Sequence, residues 1–188
     1  MQSNEWPTQY VAEKPWFNLF GRTYKIFHNG QLSFYVRQKL FRLKEAINVY
    51  SDASMQHVKL KIQARNVIDF SATYDVTDEA TQERVGSFSR KGFRSMLRDT
   101  WTIHDVDGLE IGHIREDSTL LAVIRRVLLK LIPQTFHVSI NGTEVGIIKQ
   151  RFNIFKLVYD VSIKPEHLDP RLGVAATVLL MAIEGRQQ

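Results

Sequence analysis

The sequence predicts a mainly β domain whose antiparallel sheet closes around a buried helix. Three observations carry this. A hairpin pattern recurs along the chain, the last long apolar stretch is a helix without a polar face, and 188 residues at 44% hydrophobic and 24% charged fit one globular domain. Residues 1–188 are therefore read as a single domain, with 1–20 as an N-terminal extension. No cysteine is present, which excludes disulfide staples, thiolate metal sites, iron-sulfur clusters and cysteine nucleophiles and fits a reducing compartment. Lys and Arg number 25 against 20 Asp and Glu, a net charge of +5 that favours an anionic partner without separating nucleic acid from lipid.

The N-terminal stretch MQSNEWPTQYVAEKPWFNLF lacks a basic region followed by an apolar one, so no secretory signal is expected and the expected location is cytoplasmic. Trp6, Trp16, Phe17 and Phe20 are aromatic enough either to seal a barrel or to touch a membrane.

The repeated pattern reads aromatic, any residue, β-branched residue, polar turn, apolar residue, Gly, any residue, apolar residue. Three copies are clear: Tyr74-x-Val76 with Val85-Gly86-x-Phe88, Trp101-x-Ile103 with Ile111-Gly112-x-Ile114, and Phe136-x-Val138 with Val145-Gly146-x-Ile148. Tyr24-x-Ile26, Asn29-Gly30 and Phe34-x-Val36 make a looser fourth without the second glycine. Each alternates with period 2 around a turn, as a hairpin buried on one face does, and Asn141-Gly142 is read as such a turn rather than as a glycosylation site.

A basic residue follows the last apolar position by three places: Lys39 after Val36, Lys91 after Phe88 and Arg151 after Ile148, with Phe41, Phe93 and Phe152 soon after. Arg37-x-Lys39 and Lys149-x-Arg151 have alternate spacing, which puts both cations of a pair on one strand face where a phosphate can bridge them. A solvated strand face and a charged edge that resists aggregation look the same in sequence.

The third hairpin breaks the rule. After Ile114 comes a stretch, 117–132, with Leu120, Leu121, Ile124, Val127, Leu128, Leu131 and Ile132 at helical spacing and Arg125, Arg126 and Lys130 on the remaining arc. It reads as an inserted amphipathic helix, capped by Asp117 or Ser118 and stopped by Pro133. Either it lies on an anionic membrane or it packs on the barrel with its cations in water.

The last helix, 169–184, has Asp169 as N-cap, Pro170 at its first position and Gly185 just past its end. From Leu172 to Ile183 it is apolar nearly all round, and at 1.5 Å per residue it spans only about 18 Å, too short for a bilayer. A sheet closed around it is the simplest way to cover every face.

This order of repeats with an enclosed helix resembles the LURP-one-related and phospholipid-scramblase-like proteins, which share the Tubby C-terminal fold. The resemblance runs from about Tyr24 to Gln188 and is clearest in FSRKGFRSMLRDTWTIHDVDGLEIGHI, Phe88 to Ile114, and in the closing helix. It implies an antiparallel barrel of about twelve strands. It also implies a link to membrane lipids, since Tubby domains bind phosphoinositide headgroups through paired basic residues and scramblases are linked to calcium-dependent lipid movement. Carried onto this chain, the headgroup-binding residues are Arg37, Lys39, Arg90, Lys91, Lys149 and Arg151, with Arg125, Arg126 and Lys130 on the membrane-surface helix. The chain has no cysteine-rich palmitoylation tract and no proline-rich arm, so lipid-anchored scrambling is not expected.

Asp105-Val-Asp107-Gly108-Leu-Glu110 has acidic residues in alternation but lacks the full spacing of a calcium loop and reads as a tight turn. His104 and His113 flank it without an obvious third ligand, so no metal is expected. No nucleophile elbow, zinc-protease helix, phosphate loop or dinucleotide fingerprint is present, so the expectation is a non-enzymatic module without cofactor. Its expected partner is an anionic phospholipid surface; an acidic protein partner is the alternative, and nucleic acid, which the cations interleaved with Phe41, Phe93 and Phe152 would suit, is a third.

Overall fold

The structure, a computed structural model, describes residues 6–15, 22–38, 46–68, 71–90, 100–117 and 133–183. Twelve antiparallel strands follow one another around a closed barrel, and the first pairs with the last. They are β1 (Gln9–Pro15), β2 (Arg22–His28), β3 (Gln31–Gln38), β4 (Ile47–Tyr50), β5 (Val58–Ile68), β6 (Ser71–Asp78), β7 (Glu83–Arg90), β8 (Thr100–His104), β9 (Glu110–Glu116), β10 (Thr135–Ile140), β11 (Thr143–Arg151) and β12 (Lys156–Ile163), followed by helix α1 (Pro170–Ile183). Strand alternation sends Tyr24, Ile26, Tyr74, Val76, Trp101, Ile103, Phe136 and Val138 inward, all at 2% exposure or less.

The four expected hairpins are β2–β3, β6–β7, β8–β9 and β10–β11, and their register explains the repeat. In each, the aromatic faces the final apolar residue: Tyr24 opposite Val36, Tyr74 opposite Phe88, Trp101 opposite Ile114, Phe136 opposite Ile148. The β-branched residue two places on faces the glycine position, and a bulge follows at once, after Ile26, Val76, Ile103 and Val138. A Cβ on Gly86 would come within 2.5 Å of the His104 carbonyl, one on Gly112 within 2.0 Å of that of Ser139, and one on Gly146 within 2.9 Å of that of Ser162. The glycines thus admit the backbone of the next strand.

Two further pairs share the facing pattern without the glycine of the sequence signature, and of these only β4–β5 has the bulge. Ile47 and Val49 of β4 face Ile62 and Leu60 of β5, with a bulge after Val49, and Tyr159 and Val161 of β12 face Ala12 and Tyr10 of β1. Bulky Leu60 and Tyr10 stand where the clear copies have glycine.

Helix α1 is buried on every face from Leu172 to Ala182 and packs against β5, β6, β7 and β12. Its N-terminus is capped by Asp169, whose Oδ1 accepts the Arg171 N–H at 2.9 Å. Arg171 in turn donates to Asp169 Oδ2 at 2.7 Å and to Asp78 Oδ2 at 3.0 Å, and these bonds, against the cost of burial, hold its protonated form firmly. Near the other helix end the buried Lys14 ammonium donates to the Met181 carbonyl at 2.9 Å, a cation where the helix dipole favours one. Tyr10 and Thr177 share a 2.9 Å hydroxyl contact in the core. Trp6 stacks on Phe34 at 4.6 Å between centroids and seals the barrel at the end where α1 begins.

The inserted helix of 117–132 lies outside the described residues apart from Asp117. Its flanks meet, since the Asp117 N–H donates to the Thr135 carbonyl at 2.9 Å. Gly185, Trp16, Phe17 and Phe20 also lie outside the described residues.

Candidate anion-binding end of the barrel

Consecutive antiparallel strands make every second strand run the same way, so β3, β7 and β11 finish at one end of the barrel. Counted along the sheet, β3 to β7, β7 to β11 and β11 back to β3 are each four strand intervals, roughly 19 Å at ~4.8 Å per interval. The basic positions of the repeat are therefore set a third of the circumference apart around one rim, rather than gathered in one pocket.

Arg37, Lys149 and Arg151 point outward and are exposed. Arg90 takes the opposite face: it pairs in register with inward-facing Trp101, and its guanidinium stands 5.8 Å from that ring centroid. Arg90 is half-buried there, and its equivalents, Gln38 and Gln150, are buried. Lys39, Lys91, Arg125, Arg126 and Lys130, with Phe41 and Phe93, lie outside the described residues.

The exposed cations differ in what already holds them. Arg151 is bound by Asp160 through Nε at 2.6 Å and Nη2, which raises its pKa, and Lys156 donates to Glu13 at 2.8 Å. Lys149 opposes Asp160 across β12, and Arg37 lies between Thr23 and Asn48; neither has an ion-pair partner among the described residues. An anion reaching Arg151 must compete with Asp160, whereas one reaching Lys149 or Arg37 displaces only water. Lys149 and Arg151 also border a shallow outer groove of about 850 Å³ across β11, β12, β1 and β2, with Ile147, Val11 and Phe27 as its apolar lining.

Two more cations stand beside Arg37 that the repeat did not point to. Lys25 faces Tyr35 across β2–β3, and Lys61 shares the row of Arg37 through Asn48. Lys59-Leu-Lys61 has the alternate spacing used for the other pairs and was legible on that ground; Lys25 is hidden between the apolar Tyr24 and Ile26.

The β11–β12 turn belongs to the same end. Asn153 Oδ1 accepts the N–H groups of Phe155 at 2.9 Å and Lys156 at 3.0 Å, an Asx turn that leaves Phe152 61%, Ile154 57% and Phe155 70% exposed. The other connections at this end lie largely outside the described residues; in sequence they carry Lys39, Arg42, Lys44, Lys91, Arg94, Arg98, Arg125, Arg126 and Lys130 against Glu45, Asp69, Asp99 and Asp117.

The opposite end has the reverse sign. Its turns hold Asp52, Glu79, Asp105, Asp107, Glu166 and Asp169 against Lys164. The acidic stretch after β8 is a tight turn in which Asp105 Oδ1 accepts the N–H groups of Asp107 and Leu109, both at 2.9 Å, and Gly108 has φ +85°. His104 opposes Glu110 and contacts Ser89 Oγ at 2.9 Å, while His113 opposes Thr102, so the two imidazoles do not face each other. Among the described residues no group of three or more His, Asp or Glu is placed to hold a metal ion. Nor is any described helix long and apolar enough to cross a membrane.

Comparison with known proteins adds one match. No curated protein and no solved structure matches the chain significantly. The profile of the LURP-one-related family matches residues 32–181, from β3 through most of α1, and leaves out β1 and β2, which the structure shows completing the barrel. With that match over most of its length, the chain belongs to the LURP-one-related family.

Proposed function

We propose that this chain is a non-enzymatic module that binds anionic phospholipid headgroups at a membrane surface, on the cytoplasmic side where anionic lipids concentrate. One observation carries the reading: the basic repeat ends of β3 and β11 fall on one end of the barrel, while the described turns of the other end are acidic. Cations spread around a rim suit a surface of many headgroups better than one small ligand, because each contributes a separate weak contact. Arg37 and Lys149, unpaired among the described residues, are the primary contacts; Arg151 joins by exchanging Asp160 for a phosphate.

Sedimentation with vesicles tests this. The chain is expected to pellet with phosphatidylcholine vesicles containing phosphatidylserine, to stay in solution with phosphatidylcholine alone, and to lose binding as salt screens the cations. Equal recovery on both, or retention only by an acidic protein or by nucleic acid, would overturn the reading.

A further inference from the structure

We infer that the β11–β12 turn, Phe152-Asn153-Ile154-Phe155, is a wedge that enters the acyl region of an anionic bilayer, a role that rests on the headgroup reading and adds a depth to it. A turn this short has no need of three large apolar residues, and each of the three is more than half exposed, so they do not serve the core. The turn is also held in shape. Asn153 accepts two backbone N–H groups through its side chain, so presenting these side chains costs little ordering on contact with a membrane.

Charge complementarity selects the occupant. Lys149, Arg151 and Lys156 collar the wedge, at the height where phosphates would lie once the apolar side chains were below them; Asp160 and Glu13 pair with Arg151 and Lys156, and the collar keeps a net positive charge through Lys149. The exposed Val106 and Leu109 on the β8–β9 turn make the contrast, because Asp105 and Asp107 beside them repel such a surface.

The test is Phe155→Trp in the full chain, read by tryptophan emission with anionic vesicles whose acyl chains carry bromine. Phe155 is 70% exposed, so the exchange leaves the fold intact. The expected result is a blue shift and bromine quenching beyond the wild type, which supplies the background of the native Trp6, Trp16 and Trp101. In a second variant, Phe152→Ser with Phe155→Ser, affinity for these vesicles is expected to fall about tenfold. Binding of Phe155→Trp without shift or quenching would overturn the wedge and leave headgroup binding standing. No binding of the wild type to anionic vesicles would overturn both. A blue shift that grows with protein concentration in the absence of lipid would assign the turn to a second copy of the chain and overturn the wedge alone.

Discussion

At one end of the barrel Val106 and Leu109 stand exposed between Asp105 and Glu110; at the other, Phe152, Ile154 and Phe155 stand between Arg151 and Lys156. Both tips are short turns pinned by an Asx side chain, and both expose apolar surface. What separates them is the sign of the surrounding charge. Apolar exposure on its own does not mark a membrane surface, because an anionic bilayer repels the first collar before its apolar side chains can touch and attracts the second. Helix α1 runs along the same axis, with Asp169 at its N-terminus on the acidic end and Lys14 near its C-terminus on the basic end. Its dipole therefore runs opposite to the barrel's charge asymmetry, with the positive end among the acidic turns and the negative end at the basic rim, so each end of the helix meets the charge it favours.

The largest expected effect tests whether the acidic end serves the fold rather than the partner. Arg171→Met leaves Asp78, 6% exposed, without its guanidinium and should cost about 3 kcal/mol in urea unfolding. Vesicle binding of the folded variant should not change, and a loss of binding would blur the distinction between the ends.

Next comes the basic end. Arg37→Ala with Lys149→Ala should weaken binding to anionic vesicles by about 2 kcal/mol, close to thirtyfold, at about 1 kcal/mol per cation. Unfolding should move by less than about 0.5 kcal/mol, since both side chains are exposed. Unchanged sedimentation would remove the rim from the account.

His137 gives a smaller effect that depends on pH. Burial pulls its pKa down, but the hydrogen bond to Glu144 and the contact with Asp117, 2.9 Å from Nε2, outweigh this and raise it. A raised folded-state value means that the stabilisation is complete below the unfolded pKa, near 6.5, and is lost as pH rises through the folded value. His137→Gln should therefore cost up to about 1 kcal/mol at pH 5.5 and little at pH 9, read by urea unfolding at both. Equal losses would show that the ion pair contributes nothing.

Smallest of all, Val106→Ser with Leu109→Ser should change vesicle affinity by less than about twofold, since the proposed orientation turns that tip away from the membrane. A larger fall would mean the acidic collar does not orient the molecule.

Much of this frame was legible in the sequence for a physical reason. A hairpin that must seat an aromatic opposite an apolar residue, and a β-branched residue opposite a glycine that admits the next strand's backbone, leaves a fixed mark, as in Trp101, Ile103, Gly112 and Ile114. Where aliphatic bulk replaces both signals, as at Ile47, Val49, Leu60 and Ile62, the same register leaves no such mark. The rim cations were readable as strand pairs, but their partners were not. Asp160 reaches Arg151 only because β11 and β12 pair, and Arg90 turns inward because it continues the face of Phe88. That the pairs sit a third of the barrel apart follows from closure, which no local pattern encodes.

Because the chain has no cysteine, a single introduced thiol reports one place. Ile154→Cys and Val106→Cys, at 57% and 51% exposure in the parent, form a matched pair of probes for an environment-sensitive dye. On adding phosphatidylserine-containing vesicles, a blue shift is expected for the label at residue 154 and none at residue 106. A shift at residue 106, at both sites, or at neither while the protein is vesicle-bound would contradict the proposed orientation.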